Sequence, residues 1–419
     1  MAYLDSLIGR GLRPGLERLR TILEVAGHPE RSVPSVLVAG TNGKGSTAAT
    51  LTAIAHAAGY NTGLYTSPHL VELEERWRIR EAPVDHDVLI AAVRSLQESA
   101  LEAGLTPTYF EALTLLAFFI FERSRCDLAI LEVGMGGRLD ATNVVDPLAS
   151  VITRIDYDHQ EWLGNTIEEI TREKLGITRR ATPLVVSEQP PQVIDLMRRW
   201  CDELGCPLHV VPDEVTIESL ETSLTGSSAT IRTPSAQYEL RSPLVGQHQL
   251  SNLTSAVRAA ELLSSTFRAI DAAAVLEGTA HTVWRGRLEL FDIGGRLVVV
   301  DGAHNPAGTR SAAQFVRTLP GPRALVFGAL SDKDVASMLE SLVGLFDHVI
   351  FTTPDSERSI PAASLAELHH PDARVIPTDV DAIRAALARP GIATVVICGS
   401  LYLAGSAIRL LDTMAAPRA

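Results

Sequence analysis

The sequence has few cysteines, no long apolar run and no excess of positive charge, and each absence narrows what the protein can do. Only four cysteines occur in 419 residues, and none forms a C-x-x-C pair. This excludes a disulfide framework and the common zinc and redox spacings, and it is typical of a reducing compartment. The most apolar run, ALTLLAFFIFE at 112–122, is too short to span a bilayer and predicts a buried helix. The N-terminal segment lacks the apolar core of a secretory signal, so we expect a cytoplasmic protein with no membrane partner.

The charge balance is acidic, with a formal net charge of −13. Proteins that bind nucleic acids usually present a basic surface, so we expect no nucleic-acid partner. Apolar residues form 46% of the chain, which is enough for large buried cores. The length exceeds that of one ordinary domain. If the ligands are anionic, the lysines, arginines and backbone N–H groups that hold them must be local.

Apolar strand patterns alternate with helical patterns along most of the chain, which predicts an α/β fold with parallel sheets. One series begins with SVLVAG at 35–40, and a second begins near residue 297. We expect a larger P-loop domain over residues 1–284, with an antiparallel appendage at 209–245. A smaller Rossmann-like α/β domain is expected over residues 285–419.

The segment GTNGKGST at 40–47 joins the first strand to a helix. Glycines let the backbone wrap around phosphates, and the helix N-terminus offers free N–H groups and a positive dipole end. Lys44 would reach the outer phosphates of a nucleotide, and Ser46 or Thr47 could contact Mg²⁺. Gly45 interrupts the strict Walker pattern, and a glycine-rich turn without a ligand is the alternative. The residues expected to bind nucleotide are Thr41, Asn42, Gly43, Lys44, Gly45 and Ser46.

Lys174 lies in the segment NTIEEITREKLGI, which begins with a capping box formed by Thr166 and Glu169. Ile167, Ile170, Lys174 and Ile177 follow at spacings of three, four and three, which places the lysine on the apolar stripe of the helix. A lysine that faces inward loses solvation, and its pKa falls. A neutral amine can react with CO₂ to form a carbamate. The alternative is a lysine whose stem covers apolar surface while its ammonium reaches water.

Further short motifs follow the glycine loop in a fixed order. They are SPHL (67–70), EVGMGGRLDATN (132–143), DYDH (156–159), EKLGI (173–177), GQHQLSN (246–252), GRLE (286–289), DGAHNP (301–306) and GSLYLAG (399–405). Together with the loop, they resemble the folylpolyglutamate synthase/dihydrofolate synthase family, a branch of the Mur ligase superfamily. Two departures stand out: Leu175 replaces the family's usual alanine, and ERWRIREAPV (75–84) replaces the commoner E-R-I-x-I-N-G.

The resemblance implies an ATP-dependent and Mg²⁺-dependent ligase that joins L-glutamate to a pterin carboxylate. ATP would phosphorylate the carboxylate, and the glutamate amine would attack the acyl phosphate. A carboxylate is a poor electrophile, so conversion of its oxygen to phosphate supplies a leaving group; the protein must position anions and neutralise charge. The expected acceptors are 7,8-dihydropteroate and tetrahydrofolate or its one-carbon forms. We further expect a monomer, and a monovalent cation stays open as an additional cofactor.

The resemblance assigns the metal to Ser67, Glu132 and His159. Glu132 also ends an apolar strand, where doubly wound sheets place ligands, and its carboxylate suits Mg²⁺. The plainer interpretations are a turn serine, a strand-end acid and a structural histidine, and imidazole is softer than Mg²⁺ prefers. The superfamily carbamylates the lysine that matches Lys174, which would turn this cation into an anion near the metals.

The acceptor is assigned by resemblance to the segment TPTYFEALT, through Thr108, Tyr109, Phe110 and Glu111. Phe110 could stack on a pterin ring. The alternative is a helix N-terminus in which Thr108 and Glu111 form a capping box. The resemblance also places RLDATN at the same pocket, through Leu139 and Asp140.

The nucleotide is assigned by resemblance to Asn252, Arg287 and Asp301, which could instead be a helix-capping residue, a solvated linker residue and a strand-end acid. His304 is expected to face the incoming glutamate or the phosphates, with a catalytic role beside Lys44 and Lys174. Ser400 is a further candidate for the substrate region.

Other functions compete with this interpretation. A peptidoglycan Mur ligase would need a further domain before the loop, and a P-loop kinase or GTPase would not need Gly45 or DGAHNP. A non-catalytic nucleotide-binding module would not need Glu132, His159 and Lys174 together. Within the family, the segment around Phe110 favours a bifunctional dihydrofolate and folylpolyglutamate synthase over either single activity.

Overall fold

The computed structural model describes residues 2–9, 11, 13–370 and 372–414. It divides into two compact units. The first comprises Met1–Glu221, Ser228–Pro243 and Gln249–Val283, and the second comprises Thr222–Ser227, Leu244–His248 and Trp284–Ala419. Each unit is an α/β structure built on a mainly parallel sheet, as the alternating strand and helix patterns predict.

The strands up to residue 242 are β1 (Ser35–Ala39), β2 (Thr62–Tyr65), β3 (Trp77–Ile79), β4 (Ala82–Pro83), β5 (Leu128–Glu132), β6 (Ala149–Ile152), β7 (Leu184–Val186), β8 (Leu208–Val210), β9 (Thr216–Ser223), β10 (Gly226–Arg232) and β11 (Gln237–Ser242). The helices up to residue 281 are α1 (Ala2–Asp5), α2 (Glu17–Val25), α3 (Lys44–Ala57), α4 (His86–Glu102), α5 (Tyr109–Arg123), α6 (Gln160–Leu163), α7 (Ile167–Leu175), α8 (Pro191–Leu204), α9 (Val211–Glu214), α10 (His248–Leu263) and α11 (Ala272–His281).

The sheet of the first unit has the strand order β4-β3-β2-β5-β1-β6-β7-β8. Its central strand β1 pairs in parallel with β5 and β6, and every residue of these three strands is buried. Helices therefore cover both faces, which explains the continuous apolar runs in the sequence. Because β1, β5 and β6 are parallel, their carboxyl ends meet at one edge of the sheet, where the candidate site lies.

Helix α5 contains the most apolar run of the chain. Residues 111–121 are all buried, which confirms the prediction of a buried helix. On the other face, Gly278 of α11 lies against the backbone of Ile54 in α3, so a side chain at this glycine would overlap with the helix. Among the described residues, no helix combines the length and the apolar character needed to cross a membrane.

The edge of the first sheet differs from the prediction of a purely parallel arrangement. Strands β2, β3 and β4 pair antiparallel, and the turn between β3 and β4 is formed by Arg80 and Glu81. These residues are not the Asn-Gly pair that signals a hairpin, so nothing in the sequence marks a turn here. A separate three-stranded sheet has the order β11-β10-β9 and lies within the segment predicted as an appendage.

The remaining strands are β12 (Glu289–Ile293), β13 (Arg296–Val300), β14 (Arg323–Phe327), β15 (His348–Thr353), β16 (Arg374–Thr378) and β17 (Thr394–Cys398), and the remaining helices are α12 (Pro306–Val316), α13 (Val335–Glu340), α14 (Ala362–His369), α15 (Asp379–Ala388) and α16 (Leu401–Met414). The sheet order is β12-β13-β17-β14-β15-β16. All pairs are parallel except β12 with β13. Helix α13 is short and is followed by a 3₁₀ turn at Val343–Leu345.

Candidate functional site

The glycine loop leaves β1 at its carboxyl end and enters α3 at Lys44. Gly40 and Gly43 have φ values of +143° and +91°, which glycine adopts without the cost that other residues incur. A Cβ atom at Gly40 would overlap with Thr153 Oγ1, and one at Gly43 would overlap with Asn252 Oδ1. At each of these two positions, both the backbone conformation and the close contact therefore favour a residue without a side chain. Gly45 and Ser46 lie in the first turn of α3 and are buried.

The loop is fastened to the segment that follows β6. The backbone N–H groups of Thr41 and Asn42 donate to the carbonyl of Arg154 at 2.9 Å and 3.3 Å. Thr41 Oγ1 donates to the carbonyl oxygen of Asp156 at 2.9 Å, and the backbone N–H of Asp156 lies 3.0 Å from the same hydroxyl. Thr41 thus holds the loop in place through its side chain, while the N–H groups at the start of α3 stay available for an anion.

Two lysines meet at one carbonyl oxygen in this loop. Lys44 Nζ donates to Gly40 O at 3.2 Å and to Thr41 O at 3.1 Å. Lys174 Nζ donates to Gly40 O at 2.9 Å. Only three of the 37 basic residues of the chain are lysines, and two of the three lie here. The scarcity of lysine therefore marks these two positions in the sequence itself, independently of the short motifs.

Lys174 reaches the loop because α7 presents it inward. The capping box of Thr166 and Glu169 forms as predicted, and Lys174 is only 3% exposed. Burial lowers the pKa of Lys174 to about 7; the Lys44 ammonium lowers it further, while Asp158 and Asp140 act in the opposite direction. The prediction of an inward-facing lysine with a lowered pKa is confirmed, and the alternative of an ammonium that reaches water is wrong.

The carboxyl end of β5 carries Glu132, which is 6% exposed. The backbone N–H of Ser67 donates to Glu132 Oε2 at 3.2 Å, so the structure brings these two predicted metal ligands together. Val38 of β1 is the strand partner of Glu132, which places the carboxylate on the strand next to the one that leads into the glycine loop.

His159 begins α6 in a left-handed conformation with a φ of +52°. Its Nε2 lies 3.9 Å from Asp158 Oδ1. Within the described residues, no three histidine, cysteine, aspartate or glutamate side chains are grouped as a metal site. The oxygen atoms of Glu132 and Ser67 nevertheless fit Mg²⁺, which usually takes one or two protein ligands together with water and phosphate oxygens. His159 stays a prediction.

The segment predicted to bind the acceptor forms the N-terminus of α5. Thr108 and Glu111 make a capping box, and Arg18 donates to both oxygens of Glu111, at 2.6 Å and 3.0 Å. Structural hydrogen bonds therefore occupy the carboxylate of Glu111. The sequence analysis did not identify Arg18 as its partner. Tyr109 and Phe110 are half-buried and pack against the core of the first unit. Phe110 lies against Gly134, where a Cβ atom would overlap with its ring.

The GMGGRLD loop after β5 packs against the helix that carries Lys174. Gly137 touches the backbone of α7, and the backbone N–H of Arg138 donates to Glu173 O at 2.8 Å. Asp140 is buried and accepts hydrogen bonds from Met135 N and from both the N–H and the hydroxyl of Thr142. Burial raises the pKa of Asp140 despite these bonds.

Two more predicted residues of the first unit have contrasting surroundings. Leu139 is 39% exposed, so it is free to contact a substrate. Asn252 is buried, and its Nδ2 donates to Gln249 Oε1 at 2.9 Å while its Oδ1 lies against Gly43. Gln249 therefore orients Asn252 at the loop, and sequence reasoning did not single it out although it lies in the GQHQLSN motif.

The second unit gathers its own predicted residues at the ends of β13 and β17. Asp301 accepts from the backbone N–H groups of Leu288 and Ala303, both at 2.8 Å. This places Asp301 beside Arg287, whose Nη1 donates to Gly286 O at 2.9 Å. Both act on His248, a half-buried residue that the sequence analysis did not single out: desolvation lowers the pKa of His248, Asp301 raises it and Arg287 lowers it.

His304 and Ser400 lie next to this group. His304 Nδ1 is 2.8 Å from Gly302 O. The backbone N–H of Gly399 donates to Ala303 O at 3.0 Å, which brings the end of β17 to the DGAHNP segment. Ser400 is buried and accepts from the N–H groups of Tyr402 and Leu403. It therefore caps α16, a role that the GSLYLAG motif does not indicate by itself.

These features define a Mur ligase. One α/β unit carries a glycine loop with two lysines, and the other unit carries an acidic residue, Asp301, at the end of a strand. Residues 38–260 match the Mur ligase middle domain, and residues 286–401 match the Mur ligase glutamate ligase domain. The chain belongs to the folylpolyglutamate synthase/dihydrofolate synthase family.

Similar proteins cover nearly the whole chain. The dihydrofolate synthase/folylpolyglutamate synthase of Bacillus subtilis is 35% identical over 375 residues, covering 87% of this chain and 86% of the relative. The Escherichia coli enzyme of the same name is 32% identical over 417 residues, covering 98% of this chain and 94% of the relative. Among solved structures, the folylpolyglutamate synthase of Mycobacterium tuberculosis complexed with ADP and AMPPCP has a TM-score of 0.90 at 32% identity, covering 98% of each chain. FolC of Escherichia coli in complex with DHPP and ADP has a TM-score of 0.86 at 32% identity, covering 98% and 96%.

Proposed function

We propose that the protein uses ATP to ligate L-glutamate to pterin carboxylates, with both 7,8-dihydropteroate and tetrahydrofolates as acceptors. The observation that carries this proposal is the meeting of Lys44 and Lys174 at Gly40 O, in the loop that would hold the phosphates. Relatives whose names carry both activities, dihydrofolate synthase and folylpolyglutamate synthase, match most of the chain, and they support the choice of two acceptors. A synthase with only one of the two activities is the alternative.

The chain's own groups would bind and orient the reactants. The N–H groups at the start of α3 and the Lys44 ammonium would hold the ATP phosphates, with Asn252, Arg287 and Asp301 on the rest of the nucleotide. Glu132 and Ser67 would hold Mg²⁺, with His159 as a further candidate ligand; the ion supplies charge neutralisation at the phosphates when bound. The acceptor carboxylate would take the γ-phosphoryl group, and the glutamate amine would then displace phosphate.

Lys174 would act as a carbamate. In this step the neutral amine nitrogen of Lys174 forms a bond to the carbon of CO₂, and the nitrogen loses one proton to solvent. A pKa of about 7 leaves a large neutral fraction at physiological pH, which the reaction requires. The product is an anion in place of a cation, so it removes the repulsion from Lys44 and can support a metal-bound phosphate group.

The acceptor ring would contact Phe110 and Leu139, which have accessible apolar surface, rather than Glu111. His304 would face the incoming glutamate. Ser400 would act through the start of α16 rather than through its hydroxyl, which is already in use as a cap. The four cysteines are free thiols, which fits the proposed cytoplasmic location of an ATP-dependent enzyme, and we propose that one chain suffices for activity.

The test is a coupled assay of ADP release with ATP, Mg²⁺ and L-glutamate, run separately with 7,8-dihydropteroate and with tetrahydrofolate. We expect glutamate-dependent ADP release with both acceptors, and loss of at least about a hundredfold in Lys44→Ala because a phosphate-binding charge is removed. The matched control is Arg172→Ala, which removes an exposed cation from α7. Turnover with one acceptor only would replace the bifunctional proposal with a monofunctional one, and no turnover with either would reject the ligase.

A further inference from the structure

A separate cavity lies on the face of the sheet that α3 covers. It has a volume of about 280 Å³ and is lined by Ala49 and Thr52 of α3, Leu64 of β2, Arg78 of β3, Glu81 and, from the end of α11, His281 and Val283. None of these residues belongs to the site described above. Leu64 and Arg78 are direct partners across the β2–β3 pair, so their side chains project together from one face of the sheet.

The turn that brings Glu81 to this cavity is strained. Arg80 and Glu81 have φ values of +50° and +67°, which are the left-handed conformations that asparagine and glycine adopt most easily in a two-residue hairpin. Each non-glycine residue in such a conformation costs about 1 kcal/mol or more. The chain therefore places a carboxylate at a position where a stable hairpin would favour glycine.

Opposite charges line the cavity on a largely apolar floor. Arg78 Nη1 donates to the backbone carbonyl of Glu81 at 3.4 Å, which holds the guanidinium at the turn. Burial raises the pKa of the Glu81 carboxyl, while His56, Arg78 and His281 lower it. His281 Nδ1 faces Glu277 O at 2.9 Å, so its Nε2 is the free acceptor. Two further atoms on this face, His56 Nδ1 and Thr62 Oγ1, are buried without a hydrogen-bond partner.

The lining excludes several classes of ligand. In the part of the chain that the structure describes, no three histidine or carboxylate groups are close enough to hold a metal ion. The volume is slightly below the roughly 300–1,000 Å³ typical of sites for drug-sized ligands, so a nucleotide with its phosphates is too large. A simple anion would match Arg78 but would be repelled by Glu81.

We propose that this cavity binds a free α-amino acid with an aliphatic side chain, of which L-leucine is the type. The α-carboxylate would pair with Arg78, the α-ammonium would pair with Glu81 and His281 Nε2, and the side chain would lie on Ala49, Leu64 and Val283. The charged pairs would orient the amino acid in the cavity, and burial of its side chain on the apolar residues would supply affinity. The site is distinct from the one that takes glutamate in the proposed reaction.

The test is calorimetric titration of the full chain with L-leucine, without ATP or a pterin. We expect saturable binding with one site per chain. Two analogues of matching shape probe the charges: 4-methylpentanoate lacks the ammonium, and isopentylamine lacks the carboxylate. Each should bind at least about tenfold more weakly, because one charge-assisted hydrogen bond is lost.

Glu81→Gln should weaken L-leucine binding by at least about tenfold, since the amide loses its charge but keeps its shape. The control Glu277→Gln removes an exposed charge from α11 and should bind L-leucine as the native chain does. The absence of saturable binding, or equal binding of L-leucine and both analogues, would overturn the proposal. Because the analogue series uses the native chain, its outcome does not depend on the folding of a variant. It is also independent of ligase activity.

Discussion

At the scale of single residues, the site is built around unfavourable contacts that a purely structural protein would avoid. Lys44 and Lys174 direct two ammonium groups at one carbonyl oxygen, and Lys174 is buried with a lowered pKa. Burial of an ammonium beside a second cation destabilises the folded chain. The arrangement therefore trades stability for a reactive amine near the phosphate site.

Lys174→Met should stabilise the protein in CO₂-free buffer while it abolishes ligation. Because the folded-state pKa is about 7 and the ordinary value is 10.5, the unfolded chain binds more protons between these pH values. The cost of the lysine is therefore complete at and below pH 7 and disappears above about pH 10.5. We expect the variant to raise the free energy of unfolding by about 3–5 kcal/mol at pH 7, with a gain that shrinks as the pH rises.

The measurement for Lys174→Met is urea unfolding at several pH values, with Arg172→Met as the matched change on the exposed side of α7. A gain that did not depend on pH would contradict the lowered pKa. Full ligase activity in the variant would rule out the carbamate on Lys174.

Gly43→Ala should impair the nucleotide site far more than Gly59→Ala, although the two glycines have nearly equal φ values of +91° and +90°. A Cβ atom at residue 43 overlaps with Asn252 Oδ1, whereas one at residue 59 meets open space. Both substitutions should lower the free energy of unfolding by about 1 kcal/mol through backbone strain. Only Gly43→Ala should also weaken ADP binding, by more than about tenfold. Equal ADP affinity in the two variants would show that the contact with Asn252 is unimportant.

At the scale of elements, local signals predicted α7 well and α5 only in part. The capping box and the apolar spacing of α7 are local, so the sequence alone placed Lys174 inward. For α5 the sequence left two roles for Glu111, because a cap and a substrate contact require the same side chain. The deciding residue, Arg18, lies 93 positions away, and no local pattern reports such a partner. The Arg80–Glu81 turn escaped prediction for another reason, since it uses residues that hairpin turns usually avoid.

Glu111→Gln should lower stability and leave acceptor affinity almost unchanged. The substitution removes the charge that the largely buried ion pair with Arg18 requires, so we expect a loss of about 1–3 kcal/mol in the free energy of unfolding. Arg18→Met should cost a similar amount, and the double variant should cost less than the sum, which reports the coupling. Thermal unfolding measures the cycle, and the KM for dihydropteroate measures the role in binding. A tenfold rise in that KM without a loss of stability would show that Glu111 contacts the substrate.

At the scale of the whole molecule, the predicted alternation of strands and helices is confirmed in both units, since period and apolar runs are local properties. Sequence patterns could not predict the antiparallel edge strands or the contacts of Asp301, Arg287 and His248, because these features depend on residues that tertiary folding brings together. The residues assigned to the proposed reaction come from both units. Lys44, Lys174 and Glu132 belong to the first, while His304 belongs to the second.

His304→Asn should separate the two chemical steps of the proposed ligation. Acyl phosphate formation depends on the loop and lysines of the first unit, so we expect the variant to retain it. Attack by glutamate should suffer, because the imidazole proposed to face the glutamate is lost, and we expect kcat/KM for glutamate to fall by about a hundredfold. Positional exchange of oxygen-18 in labelled ATP, measured with dihydropteroate and without glutamate, reports the first step, and glutamate-dependent ADP release reports the second. Lys44→Ala serves as the opposite control, since it should lose both. If exchange in His304→Asn fell as far as glutamate-dependent turnover, His304 would act on the phosphates, and the assignment of glutamate to this histidine would be wrong.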